Sequence, residues 1–460
     1  MSAQPHHEHR HPHALDANVR QPAIDGAPPV SPNSVRAPEV RKIHQNFLET
    51  LIFKGISSPL ALVLVVVQGR YLHTSGRGAF VLVVLSVTIL TRLLGQLGYA
   101  VANRMQQKGA NVRQLVQAAL AIGVVLGVSG TGAIVAWGTF TPGVGITVSL
   151  IAALALVPNV IWQCICGVLL GLDRVRLWNV IQTVPQVMTL AWVLVLVVGL
   201  HMGVTGAVLA WTLAHVCTAL YALYVTRDVW PPMPIKDILD LYNRPLAKLA
   251  LTMGAVQVVQ LISYRVELIV LERSRNVTQV GVYSIAVQTA EMLWLIAGSM
   301  TTAVTGPALQ DDEKKAADLI AKTAVKAFAY SAVVAVAVGA AVPYAFGPLL
   351  GQGFSGAGTP LRLLLPGTVV YAPVTVLVVY LSVRRGKPRL SLAVSVAGLV
   401  GTLVAALILI PRYGASGAAA ASSIGYAAGT LLCCYFFVRL ARRPDPVPAA
   451  VPVAAHPSGG

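Results

Sequence analysis

Five ionisable residues stand deep within long apolar runs: Lys54, Arg92, Arg265, Glu267 and Glu291. Arg265 and Glu267 lie in LAKLALTMGAVQVVQLISYRVELIVLE, and Glu291 in VGVYSIAVQTAEMLWLIAGSMTTAVT. In hydrocarbon each such charge costs about 2.5–3.5 kcal/mol by insertion scales, so it faces protein or a water-filled path. Cations there can hold an anionic group, arginine doing so bidentately on phosphate or carboxylate. A carboxylate kept from water can take up a coupling proton or a sodium ion. Arg265 and Glu267 are two residues apart, which points them to nearly opposite faces of a helix. One can face a path while the other pairs with a neighbouring helix. Arg265 could equally form a structural pair with Glu291, and the sequence does not choose.

The elements that carry these charges must span a bilayer. Hydrophobic residues make up 56% of the 460-residue chain and charged ones only 11%, with a mean hydropathy of +0.71. That is far more apolar than a soluble domain. The formal charge of +17 does not point to nucleic acid, because the basic residues fall between apolar runs rather than along one amphipathic face. From residue 46 to 438 the sequence predicts twelve apolar segments of about 20 residues, each long enough to cross as a helix. Pro59, Pro158, Pro185, Pro366 and Pro373 fall inside them and predict kinks, which membrane helices tolerate.

Loop charges fix an expected orientation. With a cytoplasmic N-terminus, inner loops carry clusters such as Arg104, Lys108 and Arg113, or Arg384, Arg385, Lys387 and Arg389. The outer loops then hold only Arg70, Arg77, Arg273, Arg275, Arg362 and Arg412. Both termini are therefore expected in the cytoplasm of a multi-pass plasma-membrane protein. Residues 1–40 hold His6, His7, His9, His11 and His13 and no apolar signal core, which reads as a disordered tail. Residues 441–460 read as a Pro/Ala-rich cytoplasmic tail. The five cysteines all lie in apolar runs, as packing residues rather than a disulfide framework or metal set.

An internal repeat divides the chain. GVTGAVLAWTLAHVCTALYALYVTR from Gly203 recurs as GASGAAAASSIGYAAGTLLCCYFFVR from Gly414, with Gly206 matching Gly417. Turns at Asp173–Arg176 and Arg384–Arg389 precede the fifth and eleventh segments at similar offsets. The expected fold is an all-α integral membrane protein of twelve helices in two six-helix lobes, at 41–229 and 243–440. They are joined by a linker at 230–242 that opens with WPPMP. Six helices per lobe imply a pseudo-two-fold axis along the membrane normal, with substrate held between the lobes.

Helical wheels at about 100° per residue collect polar stripes on particular helices. They comprise Asn46, Thr50, Lys54, Ser57 and Gln68 on the first, and Thr88, Arg92, Gly95, Tyr99 and Asn103 on the second. The fifth adds Asn179, Gln182, Thr183 and Gln186. Gln257, Gln260, Tyr264 and Glu267 align on the seventh, and Ser284, Gln288, Glu291, Gly298 and Thr302 on the eighth. Stripes on helices 1, 2, 7 and 8 are what a shared cleft between lobes needs.

The segment YRVELIVLERSRNVTQVGVYSIAVQTAEMLWLIAGSMTTAVTGPAL resembles the seventh and eighth helices of polysaccharide flippases in the multidrug/oligosaccharidyl-lipid/polysaccharide exporter superfamily, through Arg265, Glu267, Val280, Gly281, Tyr283, Ser284, Ala286 and Pro307. A second similar stretch has the core Leu409, Ile410, Pro411, Tyr413, Gly414, Gly417, Ala418 and Ala419. The resemblance implies turnover of a polyprenyl-(di)phosphate-linked oligosaccharide from the inner to the outer leaflet by alternating access. Lys54, Arg92 and Arg265 would then meet the phosphates, and Gln257, Gln260 and Tyr264, with Asn179 and Gln182, the sugars. Glu267 and Glu291 would be the ion-coupling candidates. No cofactor is implied; the partners would be membrane lipid, a polysaccharide polymerase and glycosyltransferases. The alternative is an ion-coupled drug or cation antiporter of the same superfamily. An enzyme is disfavoured, because the outer loops are short and His73 and His201 are isolated. No GxxxxGK[ST] loop is present to bind ATP.

Overall fold

The computed structural model describes residues 32–105, 111–141, 143–228, 244–310 and 312–442. The predicted linker at 230–242, the histidine cluster near the N-terminus and the C-terminal tail beyond residue 442 lie outside the described residues, as does the side chain of Lys54. Residues 1–48 and 49–460 form two separate units. Of the first, only the opening stretch of α1 is described.

A backbone that crosses hydrocarbon must satisfy its own polar groups, and helices do so within one segment. The described residues accordingly hold helices and no strand. In chain order they are α1 (Pro32–Leu94), α2 (Leu97–Met105), α3 (Val112–Thr139), α4 (Ile146–Ala153), α5 (Leu156–Gly171), α6 (Val175–Val193) and α7 (Gly203–Val225). After the undescribed stretch follow α8 (Arg244–Ser263), α9 (Val266–Ser274), α10 (Val277–Glu291), α11 (Trp294–Gln310), α12 (Glu313–Leu350), α13 (Gly358–Val378) and α14 (Pro388–Ala441). Starts are set locally. Asn111 and Asn276 cap α3 and α10, accepting from the backbone N–H of Gln114 at 3.3 Å and Gln279 at 3.0 Å, where orphan amide donors need an oxygen. Among the described residues, ten helical runs are long and apolar enough to cross a membrane. The chain is a multi-pass, all-α membrane protein.

Two of those runs, Pro59–Met105 and Pro388–Ala441, are far longer than the roughly 30 Å of a hydrocarbon core requires. Each contains one residue outside helical geometry: His73 (φ 56°, ψ −175°) and Gly414 (φ 56°, ψ −130°). In α1, Arg77 Nη1 donates to Gln68 Oε1. Nine residues of straight helix would separate those positions by about 13.5 Å, so the chain doubles back at His73. In α14, a Cβ on Gly417 would lie 2.3 Å from the Leu409 carbonyl oxygen, which places the chain beyond Gly414 against the chain before it.

Two glycines aligned by the sequence repeat, Gly203, which opens α7, and Gly414, both have positive φ, at 55° and 56°, where a side chain would strain the turn. The turns ahead of α6 and α14 also use a left-handed residue each, Asp173 (φ 57°) and Gly386 (φ 60°). Helices α2 to α7 pack on one another, α9 to α14 do likewise, and α8 contacts both α2 and α14. The ends of α12, α13 and α14 are clasped by charge. Glu313 accepts from Arg384 at 3.3 Å, Arg385 at 3.0 Å and the Tyr380 hydroxyl at 2.5 Å, while Arg385 also donates to Leu440 O at 2.5 Å.

Candidate functional site

A cavity of about 540 Å³ opens between the two arms of α1, helices α6 and α7, the junction of α8 with α9, and α10. Its polar lining is Gln68, Arg77, Gln186, Thr189, His215, Arg265, Gln288, Thr289 and Glu291, and Trp211 adds an aromatic face. The fold brings these together through interruptions. Gln68 and Arg77 flank the reversal at His73. Arg265 sits in the turn between α8 and α9, and Glu291 ends α10 at the break before α11.

Arg77 dominates the site's electrostatics. It is 1% exposed, and its guanidinium donates to Gln68 Oε1 and, at 2.6 Å, to Gln288 Oε1. Both partners are neutral amides, and Arg77 Nε has no partner. The ring of Phe80 lies 6.0 Å from its guanidinium carbon, close enough for a cation–π contribution. Arg265, by contrast, is neutralised. Its two terminal nitrogens reach both oxygens of Glu291 at 2.5 and 2.7 Å, a bidentate pair, and one also donates to Tyr264 O at 3.1 Å. Among the described residues the charged lining consists of Arg77, Arg265 and Glu291, which leaves Arg77 as the cation there without a carboxylate.

The remaining residues singled out from the sequence fall elsewhere. Glu267 is buried off the cavity, where it accepts from the Tyr283 hydroxyl at 3.3 Å; Tyr283 in turn meets Ser422 at 2.9 Å. Its Oε2 has no partner. Arg265 and Glu267 thus point apart, one to the cavity and one toward α10 and α14. Tyr264 packs with Trp294, Tyr371 and Tyr426 at ring distances of 5.4, 5.8 and 6.2 Å, and its hydroxyl meets that of Tyr371 at 2.8 Å. Arg92 and Gln260 are exposed and Gln257 is half-buried, and none of the three lines this cavity. Lys54 has a described backbone only.

The polar stripes contained Gln68, Gln186, Gln288 and Glu291, which the structure gathers in one place. Arg77, Trp211 and His215 were not singled out. Arg77 stands in the polar stretch GRYLHTSGRGAF, which reads as an outer loop; it lies one helical turn beyond the reversal at His73 and is buried at 1% exposure. A signal was present in Gln68 and Arg77, a polar pair set symmetrically about a turn.

Beside Arg77 the helices touch backbone to backbone. A Cβ on Gly78 would stand 1.9 Å from Val277 O, and one on Gly281 would stand 1.9 Å from Thr74 O. Only glycine permits α1 and α10 to approach this closely.

Residues 43–311, more than half of the chain, match the family described as polysaccharide biosynthesis protein. The chain belongs to the polysaccharide biosynthesis protein family. No curated protein matches it. Among solved structures, this family member is similar to the lipid II flippase MurJ in an inward closed conformation, with a TM-score of 0.70 and 14% identity over 85% of this chain and 90% of that one. It is similar to an inward-facing multidrug resistance MATE transporter of the MOP superfamily, at 0.67 and 18% over 84% and 94%. A MOP superfamily transporter from Pyrococcus furiosus matches at 0.63 and 17% over 87% and 96%. At these identities the likeness establishes the fold, that of MOP transporters.

Proposed function

We propose that this polysaccharide biosynthesis protein is a flippase that carries a polyprenyl-(di)phosphate-linked oligosaccharide from the inner to the outer leaflet. The observation that carries the reading is Arg77, a buried cation held by two amides in a cavity lined by α1, α6, α7 and α10. An ion removed from water without a counter-charge costs several kcal/mol, and a phosphate at the cavity would offset that cost. Its accessible volume of about 540 Å³ suits a headgroup. An adjoining apolar chamber of about 340 Å³, between α1, α10 and α12, shares Leu62, Val65, Thr289 and Met292 with it. The first prenyl units lie there, with the rest of the chain in the bilayer.

In this reading the long runs 59–105 and 388–441 each make two crossings, giving twelve helices in two lobes with both termini cytoplasmic. Alternating access rocks one lobe against the other, separating Gly78 from Gly281. Glu291 acts as a switch: protonation or sodium binding releases Arg265 to the phosphate. Glu267, buried with a free oxygen, is the second coupling candidate. A polymerase and glycosyltransferases supply and consume the lipid-linked glycan. Mass spectrometry of lipids that copurify with the protein tests the reading. Wild type retains a prenyl-phosphate-linked glycan and Arg77→Gln loses it. An organic cation retained instead, independent of Arg77, replaces the flippase with the drug or cation antiporter.

A further inference from the structure

The charge of the cavity limits which anion it can match. Among the described residues that line it, Arg77 and Arg265 are cations and Glu291 is an anion. Glu291 holds Arg265 in a bidentate pair, so the lining carries one net positive charge. A sugar-linked prenyl monophosphate is a diester with a single negative charge, which Arg77 matches. A diphosphate between the same two groups carries two, and one is left unmet. His215 also lines the cavity, and histidine is the side chain that gains a charge near neutral pH.

The surroundings of His215 suit a charged ring. Its Nδ1 lies 2.7 Å from Trp211 O. A carbonyl can only accept, so Nδ1 carries a hydrogen and Nε2 holds the lone pair to which a proton adds. The bond to Trp211 is kept in both forms. Among the described residues Nε2 has no partner. The Trp211 ring lies 4.3 Å from the imidazole, within the roughly 6 Å over which an aromatic ring attracts a cation. No carboxylate of the N-terminal half competes for the charge. Helix α7 packs on α4, α5, α6 and the turn Leu194–Gly199. Neither α4 nor that turn has a titratable residue, α5 has only Cys164 and Cys166, and α6 has only Arg176, exposed in its first turn. On α7 itself Cys217 is two residues on, toward nearly the opposite face, and Tyr221 and Tyr224 follow further along. Across the cavity stand Arg77, Arg265 and Glu291. A proton on His215 in the empty cavity would add a second cation with no anion to meet it; a bound diphosphate supplies that anion.

We infer that the cavity is charge-matched to a diphosphate rather than a monophosphate, and that His215 takes up one proton from solvent as the diphosphate binds. This deepens the proposed function and rests on it. The test is calorimetric titration of the full chain in nanodiscs, in two buffers of different ionisation enthalpy, which reads the protons bound. The ligands are a short prenyl diphosphate bearing N-acetylglucosamine and the matching monophosphate. Both are phosphodiesters that stay ionised around neutral pH, so any proton taken up goes to the protein. Wild type should take up about one proton with the diphosphate, its affinity rising up to about tenfold per unit fall in pH, and none with the monophosphate. His215→Gln should bind the diphosphate about tenfold more weakly, as expected for one lost charge-assisted contact, and without uptake. His215→Arg, charged at every pH, should bind it without uptake. Melting temperatures of the same preparations report the fold. Uptake that persists in either variant assigns the proton to Glu291 and overturns the inference, as does wild-type uptake that is absent with the diphosphate or equal for both ligands; the flippase reading survives each of these. Absence of wild-type binding to either ligand overturns the flippase reading itself.

Discussion

Replacing Arg77 by glutamine should separate substrate affinity from stability. The wild-type guanidinium is buried and bonded to Gln68 and, at 2.6 Å, to Gln288. In the substrate complex it supplies a charge-assisted contact to phosphate, worth about 1.5–3 kcal/mol. Its loss therefore weakens prenyl diphosphate binding roughly ten- to 150-fold. In the free protein two effects oppose each other. The amide oxygens of Gln68 and Gln288 lose a donor, at about 1–3 kcal/mol each if left bare. Against this, the desolvation cost of an ion without a carboxylate disappears, and that is also several kcal/mol. The new side-chain amide can still donate to one of the two. Net stability should stay within about 2 kcal/mol of wild type. Arg77→Lys keeps the charge but not the fork, so its affinity should be intermediate. Binding and thermal unfolding measured on the same preparations decide the matter. A variant that melts far lower yet binds prenyl diphosphate normally would make Arg77 a structural clamp between α1 and α10, and the anion-site argument would fail.

Further outcomes follow from other parts of the fold. Glu291→Gln removes the counter-charge of Arg265 and should tighten prenyl diphosphate binding roughly tenfold while abolishing the ion dependence of transport. Gly281→Val cannot fit against Thr74 O; headgroup binding should persist while leaflet translocation stops, because the cavity no longer closes. Glu313→Ala removes the carboxylate that Arg384 and Arg385 share and should cost about 3–5 kcal/mol, read as a lower melting temperature in detergent. Outside the membrane, Arg174 meets Asp228 at 2.6 and 3.2 Å, and its hydrogen bonds hold the Asp228 carboxyl below its ordinary range. A depressed carboxyl contributes stability above its unfolded value near pH 3.9, lost as pH falls through the lower folded value. The pair is exposed, so Asp228→Asn should cost under about 1 kcal/mol at pH 7. Stability from it should be flat between pH 6 and 8.

Much of the architecture was legible in the sequence, for physical reasons. Bilayer thickness calls for apolar segments long enough to cross it, and the glycines aligned by the repeat, Gly203 and Gly414, each take a positive φ. Part of the site was legible too, because a charge inside hydrocarbon is conspicuous. Arg265 and Glu291 stood out for that reason; the structure pairs them while both line the cavity. Arg77 was hidden because a tight reversal is polar, and polarity beside a span looks the same whether the turn is solvated or folded into a cleft. His215 and Trp211 were hidden because an aromatic in an apolar run gives no sign of which face it occupies. Tyr264 illustrates the converse, aligned on a polar stripe yet packed among other aromatics. Such assignments depend on helix rotation and on breaks such as that at Arg265, which tertiary packing sets.

The most direct test is leaflet translocation of a fluorescent polyprenyl-diphosphate oligosaccharide in proteoliposomes, comparing wild type with Arg77→Gln, Arg265→Ala and Arg92→Ala. The account predicts that wild type translocates the lipid, that Arg77→Gln and Arg265→Ala do so far more slowly, and that Arg92→Ala, outside the cavity, matches wild type. Translocation indifferent to Arg77 and Arg265, or none by a folded wild type, would contradict it.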